Sequence, residues 1–187
     1  MRLFIAVDPG ERFRLELATR LDSYRRQLRI NWVRPTNWHV TLSFLGKWSE
    51  KTVPALQNAL QQEAMEQPPG LVTPGAVGAF PNLRRPRVLF LQMESVGMLE
   101  RLAAGIRRQV DLVAPAGPQD RKPFRSHLTL ARVKRPLPAA QRELPVEMDL
   151  GTWTPLPVTE FKLIRSELRP EGPRYTELAV LPLTGAV

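Results

Sequence analysis

The chain has 187 residues, 43% of them hydrophobic and 24% charged, and no cysteine. That predicts one globular domain over residues 1–187 and excludes disulfide scaffolds, thiol nucleophiles and cysteine-ligated metal centres. The net charge of +9 favours anionic partners; 22 Arg against 5 Lys suit bidentate phosphate contacts, although GC-rich coding produces the same skew.

No run approaches about 18 apolar residues, so no membrane span is expected. The first residues lack the long apolar run of a secretory signal, so none is expected, and the missing cysteines fit a cytoplasmic chain. Residues 3–7 predict a short apolar strand. Asp8, Pro9 and Glu11 read as a helix start with Asp8 as its cap, and Phe13, Leu17, Leu21, Tyr24 and Leu28 as its apolar face. Residues 31–34 predict a short strand closed by Pro35. Residues 38–45 alternate strictly up to Gly46, which predicts a half-buried strand. Alternation puts Trp38 and Phe44 on the face of Val40 and Leu42, in the core rather than against a stacked base.

Ser49 is placed to cap a second helix, with Val53, Leu56 and Leu60 inward, ended at residues 68–70. Residues 71–80 and 87–93 predict a hairpin whose turn carries Arg84 and Arg85, with Arg87 just after it, a basic tip that could track an RNA backbone. Ser95 opens a third helix with Val96, Leu99, Leu102, Ile106 and Val110 on one face, and a basic loop runs from it to Pro123. Residues 126–133 alternate again. A proline-rich connector with a short helix at 139–143 leads to two last strands, 158–168 and 174–181, joined by a tight turn. Helices mixed with hairpin-joined strands predict an α+β fold with antiparallel sheet.

The chain has two histidines, and each begins the same pattern: His39-Val40-Thr41-Leu42 and His127-Leu128-Thr129-Leu130. On a strand, residues two apart share a face. Each strand therefore presents one imidazole and one hydroxyl while its apolar residues point into the core. One such motif is an ordinary histidine beside a β-favouring threonine; two, with no other histidine in the chain, point to chemistry. A pair of imidazoles suits phosphodiester attack without a metal: one takes a proton, the other gives one to the leaving oxygen. The threonine hydroxyls can bond the non-bridging oxygens as charge builds.

These motifs resemble the 2H phosphoesterase superfamily, and within it the bacterial and archaeal RNA 2′,3′-cyclic phosphodiesterases, also described as 2′-5′ RNA ligases. The resemblance extends over residues 1–7, 38–46 and 124–132, and includes the 88-residue separation of the histidines. It implies a bilobal fold of two antiparallel sheets backed by helices, related by a pseudo-two-fold axis, with one motif strand per lobe facing a central cleft. It implies hydrolysis of an RNA-terminal or nucleoside 2′,3′-cyclic phosphate to a 2′-phosphomonoester, with no metal and no cofactor. His39 would donate the proton to the departing O3′, His127 would accept one from water, and Thr41 and Thr129 would bind the phosphoryl oxygens. Ligation is the reverse reaction.

Arg125 and Arg132 are further phosphate-binding candidates. Alternation puts Arg125 on the face of His127 but Arg132 on the opposite face, unless a bulge after Leu130 turns it back. Arg121, Lys122, Lys134 and Arg135 flank the second motif and add positive field. The expected partners are RNA ends or nucleotides, the chain acting as a monomer away from membranes. Two alternatives remain open: a related enzyme acting on another cyclic or 2′-5′ phosphoester, and a non-catalytic RNA-binding module.

Overall fold

The computed structural model describes residues 1–187 apart from 116, 118–122, 171 and 187. The expected basic loop, with Arg121 and Lys122, lies mostly outside the described residues. The strands are β1 (Arg2–Val7), β2 (Asn31–Trp32), β3 (Val40–Lys47), β4 (Gly70–Phe80), β5 (Val88–Glu94), β6 (His127–Arg132), β7 (Leu156–Val158), β8 (Glu160–Arg169) and β9 (Gly172–Pro182). The α-helices are α1 (Glu11–Gln27), α2 (Val53–Glu66), α3 (Met98–Val113) and the single turn α4 (Leu144–Glu147). The fold is α+β, and every strand pairing is antiparallel.

The strands follow the order β7-β4-β5-β6-β3-β1-β8-β9, with β2 on β6. The two expected sheets are thus hydrogen-bonded into one path, joined between the motif strands at the single pair Val40–Leu128. That pair joins the second residue of one motif to the second residue of the other. Exchanging the motif strands about it also exchanges β1 with β5, and each motif strand comes after a strand and a helix: β1 and α1 before β3, with the short β2 between, and β5 and α3 before β6. The join is short because the rest of that edge of β6 is taken by β2, at Ala131 and Arg132.

Val40, Leu42, Leu128 and Leu130 point into one large apolar core together with residues from α1, α2 and α3. The helices α2 and α3 pack on each other; α3 lies against β3, and α2 against β8 and β9. On the opposite side of β1, Phe4 and Ala6 form a small second cluster with Ile164, covered by Tyr175. β1 is therefore apolar on both faces, which accounts for its unbroken hydrophobic run.

Several expected boundaries move. The first helix starts at Glu11 after Gly10, and Asp8 accepts the Gly10 N–H at 2.8 Å instead of capping the helix itself. Ser95 Oγ does accept the Leu99 N–H, but Val96 is 100% exposed, because the chain turns left-handed at Val96 and Gly97 before the helix begins. The strand expected at 158–168 is β8, which starts at Glu160 and pairs with β1 and β9; Val158 instead closes the short strand β7, which pairs with β4.

Candidate active site

Both motif strands carry a bulge at the fourth motif residue. In β3, Thr41 and Ser43 sit opposite the consecutive residues Ala6 and Ile5, leaving Leu42 unmatched. In β6, Thr129 and Ala131 sit opposite Phe90 and Leu89, leaving Leu130 unmatched. An extra residue reverses the alternation beyond it. Leu130 and Ala131 are both buried, and Arg132 is exposed on the side of His127 and Thr129. The expected opposite-face placement of Arg132 is thereby corrected by the bulge considered for it. In β3 the same step turns Phe44 out of the core to 52% exposure, where it lines a cavity with Thr41 and His127. The core placement expected for Phe44 is thus overturned; Trp38, ahead of the bulge, is buried as expected.

Carried one residue either way from the pair Val40–Leu128, the antiparallel register puts His39 towards Thr129 and Thr41 towards His127. The two histidines thus take diagonal positions, which in a regular antiparallel pair lie about 7–8 Å apart at the backbone. That leaves room for one phosphoryl group between the rings, with a hydroxyl beside each. Among the described residues, neither threonine hydroxyl has a hydrogen-bond partner within the protein, so both are available to a ligand.

The imidazoles are held alike. His39 Nδ1 lies 2.8 Å from the Asn37 carbonyl oxygen, and His127 Nδ1 lies 2.6 Å from that of Arg125. A carbonyl only accepts, so each Nδ1 carries a proton and donates it. The neutral ring then has a bare Nε2, ready to accept a proton, and the charged ring has an Nε2–H to give. A turn of 3₁₀ helix at Pro35–Asn37 places the carbonyl for His39.

Aromatic rings complete the two supports. His39 lies 4.9 Å from Phe4 and 5.5 Å from Tyr175, between centroids; His127 lies 5.3 Å from both Phe80 and Phe90. Gly78 stands opposite Phe90 and lets that ring lie over the strand, since a Cβ there would come within 2.5 Å of the ring. These rings belong to β1, β9, β4 and β5, and no local pattern links them to a histidine. Sequence reasoning missed them; their only signal is aromatic residues in strands.

A cavity of about 470 Å³ opens beside His39, walled by Arg14, Lys162, Arg174 and Tyr175. A second, of about 490 Å³, opens beside His127, walled by Phe44, Phe80, Phe124 and Arg125. The Arg125 guanidinium lies 5.9 Å above the Phe80 ring, on the side alternation assigned it. Among the described residues, no cluster of three or more His, Asp or Glu side chains is arranged to hold a metal ion.

Burial pushes His39 below the usual histidine range, the nearby His127 and Arg132 push the same way, and the Asn37 carbonyl and Asp8 oppose them. Burial raises Tyr175 against the pull of Arg132. Arg132 thus acts electrostatically on both walls of the His39 side. Asp8 is kept ionised despite its burial by Arg14, the Gly10 N–H and Lys162. Lys162 bridges Asp8 and Glu177, at 3.3 and 2.7 Å, which holds its charge against desolvation.

His39 is thus poised to respond to an anion. In the empty protein its titration, followed by NMR of the ring protons, is expected to have a midpoint below about 6.5, the ordinary histidine value. Inorganic phosphate in the cleft supplies a negative charge and moves that midpoint upward. A midpoint unmoved by phosphate contradicts an anion site at these rings.

The family model described as LigT-like phosphoesterase matches residues 7–90, which include the first motif. A Thermus thermophilus protein named RNA 2′,3′-cyclic phosphodiesterase is 39% identical over 99% of this chain and 91% of its own. This chain belongs to the LigT-like 2H phosphoesterases. The crystal structure of a Thermus thermophilus protein matches its fold with a TM-score of 0.86, at 35% identity over 99% of both chains. Escherichia coli LigT complexed with 3′-AMP matches with a TM-score of 0.72, at 28% identity over 98% of both chains. Among the described residues, no helix is long and apolar enough to cross a membrane.

Proposed function

We propose that this 2H phosphoesterase hydrolyses the 2′,3′-cyclic phosphate at an RNA end, or on a nucleoside, to a 2′-phosphomonoester. The observation that carries the reading is the diagonal imidazole pair, each Nδ1 tied to a backbone carbonyl and each Nε2 free. His127 Nε2 takes a proton from water, whose oxygen bonds to phosphorus. The P–O3′ bond breaks, and His39 Nε2–H gives its proton to O3′. Water's proton and the donated proton balance, so the protein starts the next cycle with the two rings' protonation exchanged and resets through solvent. Thr41 and Thr129 bond the non-bridging oxygens as charge gathers there, and Arg125 and Arg132 supply positive field.

Burial disfavours the charged form of His39, so the donor form depends on the bound anion raising its pKa. An RNA 5′-hydroxyl in place of water bonds to phosphorus as the P–O3′ bond breaks and forms a 2′-5′ linkage, a minor route where water is abundant. The cysteine-free chain fits a cytoplasmic enzyme.

The deciding experiment incubates an RNA oligonucleotide ending in a 2′,3′-cyclic phosphate with the protein in EDTA and identifies the product isomer. Turnover to a 2′-phosphate is expected. A 3′-phosphate reverses which oxygen leaves, and loss of activity on chelation with rescue by a divalent cation contradicts the imidazole mechanism. No turnover with the RNA still bound supports a binding module. Thr41→Val and Thr129→Val each lower kcat on the order of 10- to 1000-fold; an unchanged kcat reduces the threonine to scaffold.

A further inference from the structure

A second basic site lies outside the machinery just described. Arg84, Arg85, Arg87, Arg135 and Arg142 converge on a cavity of about 360 Å³ lined otherwise by Pro86, Pro136 and Leu137. All five arginines are exposed, while Pro86 and Leu137 are buried and form the floor. No carboxylate lines the cavity, and among the described residues none of the five forms an ion pair. Five exposed guanidinium groups around one hollow, two of them also donating to the Lys134 and Leu137 carbonyls, raise the local positive potential and favour an anion among them. Coding bias explains many arginines in a chain; it does not explain their convergence from two separate segments.

The position is equally informative. The β4–β5 turn brings Arg84, Arg85 and Arg87, and the segment after β6 brings Arg135 and Arg142. The Arg87 N–H donates to the Phe80 carbonyl at 2.7 Å, and the Phe80 ring is one support of His127. The Val133 N–H donates to the Arg87 carbonyl at 2.9 Å, directly after Arg132. The cavity is therefore fixed to the end of the same strands that carry the cleft. From His127 to Arg132, β6 covers about 16 Å. A single nucleotide held at the histidines stops short of the cavity, whereas the upstream phosphates of a longer strand can reach it.

We propose that this arginine cavity binds the phosphate backbone of single-stranded RNA upstream of the cyclic end, so that the enzyme prefers an RNA strand to a mononucleotide. The assignment rests on the function proposed above and names the substrate class for that site. Guanidinium groups pair bidentately with phosphate and read no base, so the preference is for strand length and not for sequence.

The test compares wild type with the variant Arg84→Gln/Arg85→Gln/Arg135→Gln on two substrates. One is an RNA of about ten nucleotides ending in a 2′,3′-cyclic phosphate; the other is a nucleoside 2′,3′-cyclic phosphate. For the RNA, kcat/KM is expected to fall about tenfold or more, and its log–log dependence on salt to become shallower by about 2, at 0.7 per lost contact. Turnover of the nucleoside substrate stays within about twofold, which also shows that the variant is folded. The Arg→Lys version of the same triple substitution keeps the salt slope, because charge is retained. Equal losses on both substrates, or no loss on the RNA, overturn the assignment. If wild type turns over neither substrate, the proposed function fails by itself. Anisotropy of a labelled 3′-phosphorylated RNA of the same length then decides about the cavity: a salt slope unchanged in the Gln variant rejects it.

Discussion

His39→Ala and His127→Ala each lower the turnover of RNA ending in a 2′,3′-cyclic phosphate by about 100- to 10,000-fold, the range supplied by a positioned proton donor or acceptor. The double variant loses little more than the worse single one, because a donor without its acceptor partner no longer completes the reaction. RNA affinity changes far less than kcat, since each imidazole is a single group among the basic residues around the cleft. The pH dependence of kcat/KM distinguishes the two residues. If His39 is the donor, its removal abolishes the alkaline limb, which lies low because burial disfavours its charged form. Loss of the acid limb instead exchanges the two roles while leaving the reaction intact. Full activity in either variant contradicts a two-histidine mechanism.

Trp38→Ala is expected to destabilise the fold by about 3–5 kcal/mol, the usual cost of emptying a buried tryptophan site. Trp38 is 1% exposed and belongs to the core shared by the helices and both motif strands. For a chain of this length the loss corresponds to a melting temperature lower by about 6–20 °C, measurable by differential scanning calorimetry. Its indole Nε1 is buried and has no hydrogen-bond partner. Trp38→Phe discards that unsatisfied donor while retaining most of the ring, and so costs clearly less than Trp38→Ala. Equal losses in the two variants contradict packing as the role of this side chain. Because His39 follows Trp38 directly, the alanine variant also loosens the His39 ring, and its kcat falls at temperatures where the protein remains folded.

The motif strands show where local pattern is sufficient. Alternation of period two told which side of each strand carries His39, Thr41, His127 and Thr129, because up to the fourth motif residue nothing interrupts the pleat. The same pattern failed for Phe44 and Arg132, which lie beyond the bulges at Leu42 and Leu130. The consecutive apolar residues Phe44-Leu45 and Leu130-Ala131 mark the irregularity in the sequence, but they do not say which residue is left unmatched. The strand expected at 158–168 is found as β8 but begins two residues later, because Val158 closes β7 on a different partner, β4, and the partner is not written in the run itself.

By itself, the sequence determined the α+β class and the family, and it singled out the four motif side chains as candidates, because each depends on residue type and short-range spacing. Only the tertiary structure decided that the two motifs lie side by side. That depends on the pairing of Val40 with Leu128, a contact between segments 88 residues apart whose geometry no local periodicity encodes. It also decided that His39 is buried against Phe4 and Tyr175, that His127 is held by Phe80 and Phe90, and that five arginines from two segments meet in one hollow. Burial, ring contact and charge convergence are properties of assembled strands: they arise from which edges find each other, and the sheet register settles that for the whole chain at once.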